Sequence, residues 1–175
     1  FYVSGNMFVY VSETQVRKND FRGPDVFVVL GTSNRERLSW VVWEEEGKLP
    51  NVVIEITSPS TESVDRGENM SIYARLKVSP YYLCDPYTKL FEGYLLNDRE
   101  IYERIPPEPN GDLPCSAMDL RLGMRLGWNS GVETEWLRWI APDGRVLQSK
   151  EERAQAAEAE VARLRAELDR LRAGS

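Results

Sequence analysis

The chain has 175 residues, with 28 Asp/Glu against 22 Lys/Arg, a net charge of −6, two cysteines and no histidine. That size fits one globular domain with an appendage, and the acidic balance argues against a surface built to grip duplex DNA tightly. The missing histidine excludes Ser-His-Asp and Cys-His nucleophile systems and His-ligated metals, leaving carboxylates, Lys, Arg, Tyr and Asn for chemistry.

The chain opens on Phe1 in what reads as the lead-in to a strand, so a fragment lacking an N-terminal element is expected. A first strand is predicted at about 6–12, followed by Pro24-Asp25-Val26-Phe27-Val28-Val29-Leu30 and Val52-Val53-Ile54-Glu55-Ile56-Thr57. The latter two runs are short, β-branched and bounded by Pro or Gly, the pattern of strands buried on both faces. Ser60 or Thr61 offers an N-cap to a helix from Glu62 to Leu76, which carries Ile72 and Leu76 at helical spacing. Tyr81 to Cys84 reads as a further buried strand, stopped by Asp85-Pro86. Leu90 to Leu96 and Ile101 to Ile105 then flank a turn, and Leu120 to Trp128 alternates, with Leu120, Leu122, Met124, Leu126 and Trp128 on one face. Glu133 to Ile140 adds a Trp-rich strand. This order is α+β, with a mixed sheet and a flanking helix followed by antiparallel strands.

From Lys150 the grammar changes. Residues 150–172 lack Gly, Pro and aromatics, and Ala154, Ala157, Val161, Leu164, Leu168 and Leu171 are spaced 3, 4, 3, 4, 3. That is a coiled-coil seam, and its flanking charges oppose one another in a parallel pair. The expected organisation is a domain over 1–147 and a helical coiled-coil tail over 148–175 that supports a homodimer. No apolar run approaches the roughly 20 residues needed to cross a bilayer. Cys84 and Cys115 are too few for a disulfide framework and read as small apolar fillers, so a cytoplasmic setting without membrane attachment is expected.

Two acids stand out because each lies inside a buried strand pattern. A carboxylate there costs several kcal/mol unless it is compensated. One such acid fits a hydrogen-bond acceptor, whereas Asp25 and Glu55 on candidate neighbouring strands fit a shared divalent cation; an all-oxygen ligand set selects Mg²⁺, Mn²⁺ or Ca²⁺. Arg17, Lys18, Arg22, Arg35 and Arg37 make the segment around Asp25 locally basic. Glu44-Glu45-Glu46 reads as a solvated loop, and Trp40, Trp43, Trp136 and Trp139 read as core or sheet-face residues before base-stacking ones.

The Pro24-Asp25 step, the apolar lead into Glu55-Ile56-Thr57-Ser58-Pro59-Ser60-Thr61, then Tyr73 and Tyr81-Tyr82-Leu83-Cys84-Asp85-Pro86, together resemble the bacterial Uma-two family of restriction endonucleases within the PD-(D/E)XK nuclease superfamily. The likeness covers about residues 7–140. It implies a restriction-endonuclease-like core, DNA as substrate and Mg²⁺ or Mn²⁺ as cofactor. Carried over, Asp25 and Glu55 are the metal-holding acids and the backbone carbonyl of Ile56 is an additional ligand. In such nucleases a lysine two residues after the Glu polarises the attacking water, and that position is Thr57 here. The family resembled usually moves the lysine onto the following helix, where this chain has Asn69.

Losing a preorganised cation near the transition state costs about 3–4 kcal/mol. On a helix Arg66, Asn69 and Tyr73 share a face, so Arg66 stands as a candidate surrogate or, alternatively, as a solvated residue paired with Glu62 or Asp65. Two function classes follow: a metal-dependent endonuclease weakened by loss of the lysine, and a noncatalytic nuclease-like module that binds a partner or itself through the tail.

Overall fold

The computed structural model describes residues 1–12, 22–129 and 131–173. Arg17, Lys18 and Asp20 of the predicted basic segment lie outside them. The central sheet has six strands: β1 (Tyr2–Ser4), β3 (Val26–Val29), β5 (Val52–Ile56), β6 (Tyr81–Cys84), β7 (Phe91–Leu96) and β8 (Tyr102–Arg104), hydrogen-bonded in that spatial order. Only β5 and β6 run parallel. A parallel pair needs a crossover, and the crossover is α1, which spans 62–75 as Glu62–Val64, a π-helical stretch Asp65–Asn69, and Met70–Arg75. β2 (Val9–Tyr10) and β4 (Trp40–Val41) form a small parallel pair.

The double-sided burial anticipated for the central strands follows from their period of two. Phe27, Val29, Val53, Tyr81 and Leu83 face α1 and pack with Tyr73, Trp40 and Val9. Val28, Val52, Ile54 and Tyr82 face the other way, onto Leu113, Cys115 and Leu122. That second layer is an antiparallel sheet of β9 (Leu113–Cys115), β10 (Leu120–Asn129) and β11 (Val132–Ile140). β1, β4 and β9 have no strong sequence signal: they are two or three residues long and are strands because neighbours supply their ladders. The alternating face of β10 is buried only at its start, for Leu126 is 70% exposed where the hairpin outruns the sheet it covers. Both cysteines are buried and free, as fillers should be.

α2 (Lys150–Ala173) is continuous over 24 residues and follows the second sheet after a connection over 141–149. Its start is a capping box: the Ser149 hydroxyl accepts from Glu152 N at 3.1 Å, while Glu152 accepts from Ser149 N at 2.8 Å. The same Glu152 is bound by Arg138 of β11 at 2.5 Å, which keeps its carboxyl charged below the usual range. Among the described residues no helix is long and apolar enough to cross a membrane.

Candidate active site

β3 and β5 are antiparallel, with Val26 opposite Ile54, so one step further along the ladder Asp25 comes opposite Glu55. There the backbone ladder is replaced by side chains. Asp25 N donates to Glu55 Oε2 at 3.0 Å, and Ile56 N donates to Asp25 Oδ2 at 2.7 Å. Each acid therefore satisfies the other strand's main chain. On the other flank of Asp25, Gly5 lets the first strand's end come close, because a Cβ at that position would lie 2.4 Å from the Asp25 carbonyl oxygen. Asp25 is half-buried, whereas Glu55 is 4% exposed.

The third contact to Glu55 comes from α1. The Tyr73 hydroxyl, buried against Tyr81, donates to Glu55 Oε1 at 3.1 Å. Burial lifts the Glu55 carboxyl to about 7; the hydrogen bond from Asp25 N works against this, and the negative charges of Asp25 and Asp65 add to it. Among the described residues, the causes of that shift are burial, two hydrogen bonds and two acids. A buried carboxylate flanked by like charges is disfavoured as an anion, and a bound cation would relieve the cost.

Asp65, in sequence only an ion-pair candidate for Arg66, joins the site in the structure. It is 6% exposed in the π-helical stretch. Burial raises its carboxyl, hydrogen bonds from Thr61 and Asn69 oppose that, and the charge of Asp25 reinforces it. The Tyr81 hydroxyl donates to the Asp65 carbonyl at 2.9 Å. The bond falls within the π-helical stretch, and π turns recur at functional sites. The only sequence signal for Asp65 was its position four residues before Asn69.

Asn69 lies beside this cluster, its amide donating to Asp65 Oδ1 at 3.1 Å. Thr57 is 4% exposed and its N–H continues the sheet to Cys84 O at 2.9 Å. Arg66 goes elsewhere. It bonds Glu62 at 2.8 Å, Glu92 of β7, and the Tyr94 hydroxyl at 3.2 Å, while Glu92 also holds Arg104 at 3.0 Å. The paired reading of Arg66 thus describes its contacts, with Glu92 as a partner that no local pattern signals.

The described arginines near Asp25 likewise form ion pairs. Arg22 bonds Glu68 at 3.2 Å, and Arg35 and Arg37 both bind Glu45, at 2.6 and 2.7 Å. This corrects the reading of Glu44-Glu45-Glu46 as wholly solvated, because Glu45 turns inward to 9% exposure. Trp40 is fully buried as expected, whereas Trp43 is 40% exposed.

Among the described residues, no three His, Cys, Asp or Glu side chains stand as a ready-made metal cage. The donor chemistry nevertheless fits a hard divalent ion: an ionised carboxylate has about four acceptor positions, and Asp25 and Glu55 spend only one and two in the bonds above. A family model described as "Putative restriction endonuclease" matches residues 2–129. No curated protein matches the chain.

Proposed function

The chain belongs to the Uma2 family of restriction-endonuclease-like nucleases, and we propose that it hydrolyses phosphodiester bonds in DNA with a divalent cation, Mg²⁺ or Mn²⁺, held by Asp25 and Glu55. The backbone carbonyl of Ile56 is the proposed third protein ligand. The observation that carries this reading is the Asp25–Glu55 pair: two acids crossed over at a strand end, one buried and flanked by like charges. In such a site the ion acidifies a coordinated water and neutralises charge on the scissile phosphate.

The protein's own residues set the geometry. Tyr73 fixes one oxygen of Glu55 and the Asp25 N–H fixes the other, so the carboxylate has little rotational freedom. Asp25, half in solvent, forms the accessible lip of the site. Asp65 adds a negative charge and Asn69 answers it with a neutral amide. In this reading the site is adequate for holding an ion and poor at stabilising the extra charge of a pentavalent phosphate.

Nicking of supercoiled plasmid in the presence of Mg²⁺ or Mn²⁺ is the test. Asp25→Ala abolishes cleavage and weakens metal binding. Asn69→Lys places a cation beside Asp65 and raises cleavage by about one to three orders of magnitude. An Asn69→Lys protein that binds Mg²⁺ and still leaves the plasmid intact would overturn the nuclease reading in favour of a noncatalytic module.

A further inference from the structure

We infer that α2 is a pairing arm whose partner is a second copy of the same helix, parallel and in register, so that two domains sit at the same end of one coiled coil. Three independent observations lead there. The arm is fixed at its base, by the Ser149–Glu152 capping box and by Arg138, which also donates to Leu147 O at 2.9 Å. Beyond that base the apolar stripe faces solvent: Val161, Leu164 and Leu168 are 47%, 45% and 53% exposed. Such a stripe is narrow, confined to a and d positions, and suits a two-helix seam better than the broad face a domain would cover.

The charges then choose the partner. With Ala154, Val161 and Leu168 at a and Ala157, Leu164 and Leu171 at d, the g positions are Arg153, Glu160 and Glu167. The e positions are Glu158, Arg165 and Arg172. In a parallel pair each g meets the partner's following e, giving Arg153 with Glu158, Glu160 with Arg165, and Glu167 with Arg172, all of opposite sign. In an antiparallel pair centred on the middle heptad Glu160 meets its own copy and so does Arg165, two repulsive contacts at the centre of the seam, whereas the parallel pair has none. In the single helix Arg163 binds Glu160 at 2.7 Å and Glu167 at 3.4 Å. Those are exposed pairs of small worth, and they yield readily to partners across a seam.

The length of the arm sets the strength. Fewer than four heptads with alanine in the first make a marginal coil, so pairing is reversible and concentration-dependent.

The experiment uses the full chain and two charge variants. Light scattering of the wild-type protein shows the mass doubling as concentration rises. Glu160→Arg with Glu167→Arg gives one variant that stays monomeric, and Arg165→Glu with Arg172→Glu gives another. Mixed together, the two restore pairing, because each then meets opposite charges. Leu164→Cys in the wild-type background reports the register, since a d residue faces its own copy and forms an intermolecular disulfide under mild oxidation; the native thiols at Cys84 and Cys115 are buried. A wild-type chain that stays monomeric throughout, or a mixture of the two variants that fails to pair, overturns the inference.

Discussion

Glu45 and Glu55 are both buried glutamates, and the protein treats them in opposite ways. Glu45 is gripped by Arg37, whose guanidinium lies over the neighbouring rings of Tyr2 and Trp40 at 4.6 and 4.8 Å, and by Arg35 from the solvent side. Its carboxyl falls below the ordinary range, chiefly through the Arg37 hydrogen bond. Glu55 has a tyrosine, a backbone N–H and two further acids, and its carboxyl rises to about 7. Burial alone therefore says little about a carboxylate. A cation already in place makes it part of the scaffold, whereas among the described residues Glu55 is flanked by acids, an arrangement that favours a bound cation.

The sharpest way to break this contrast is to remove the charge at each position. Glu45→Gln strands the Arg37 guanidinium, 4% exposed, without its counter-charge. Orphaning a buried ion costs about 3–5 kcal/mol, so thermal unfolding should move down by on the order of 10 °C. A midpoint that hardly moves would mean that Arg37 is held by its aromatic neighbours alone.

Glu55→Gln should act in the opposite direction. The folded carboxyl titrates near 7 and the unfolded one near 4.5, so the folded state keeps a proton that the unfolded state releases. The metal-free protein consequently loses stability as pH rises from 4.5 to 7, by an amount on the order of 3 kcal/mol, and holds level above that. Denaturant midpoints of Glu55→Gln should show no such decline, surpassing wild type at pH 8 and converging with it under acid conditions. Mg²⁺ should lift wild type at pH 8 and leave the variant unchanged. Parallel pH profiles for the two proteins would sink the account of a buried carboxylate flanked by like charges.

The smallest effect belongs to Arg35, whose side chain is 61% exposed. Arg35→Ala should cost under about 1 kcal/mol despite the short contact to Glu45. Comparing it with Arg37→Ala in equilibrium unfolding separates the contribution of burial from that of proximity.

Much of this was legible in the chain. Asp25 and Glu55 declared themselves because each interrupts a β-branched run, and strand pairing then put them side by side. The helix over 62–75, the buried strand at Tyr81–Cys84 and the long helix α2 followed from periodicity. What escaped depends on contacts between distant residues. Glu92 meets Arg66 across a strand, and Glu45 turns inward because Arg37 is already fixed on Tyr2 and Trp40. Asp65 looked like any charge in a first helical turn, and it is inside because Tyr81 takes its carbonyl. Leu126 misled in the other direction, since alternation predicts a shared face without saying how far the covering layer extends.

The π-helical stretch Asp65–Asn69 has a consequence for angular phase. Residues eight apart in a regular α-helix differ by about 80° around the axis, too far for Asp65 and Tyr73 to address the same point. A wider turn advances less per residue, and placing it between them takes up most of that angle, so Asp65 lies on nearly the same side of the helix as Tyr73, which bonds Glu55. The helix thus carries one residue more than its length requires, and that surplus aims an acid. Deleting a residue within the stretch would return the backbone to ordinary α geometry and swing Asp65 away from Glu55, leaving the strand acids to meet an incoming cation by themselves.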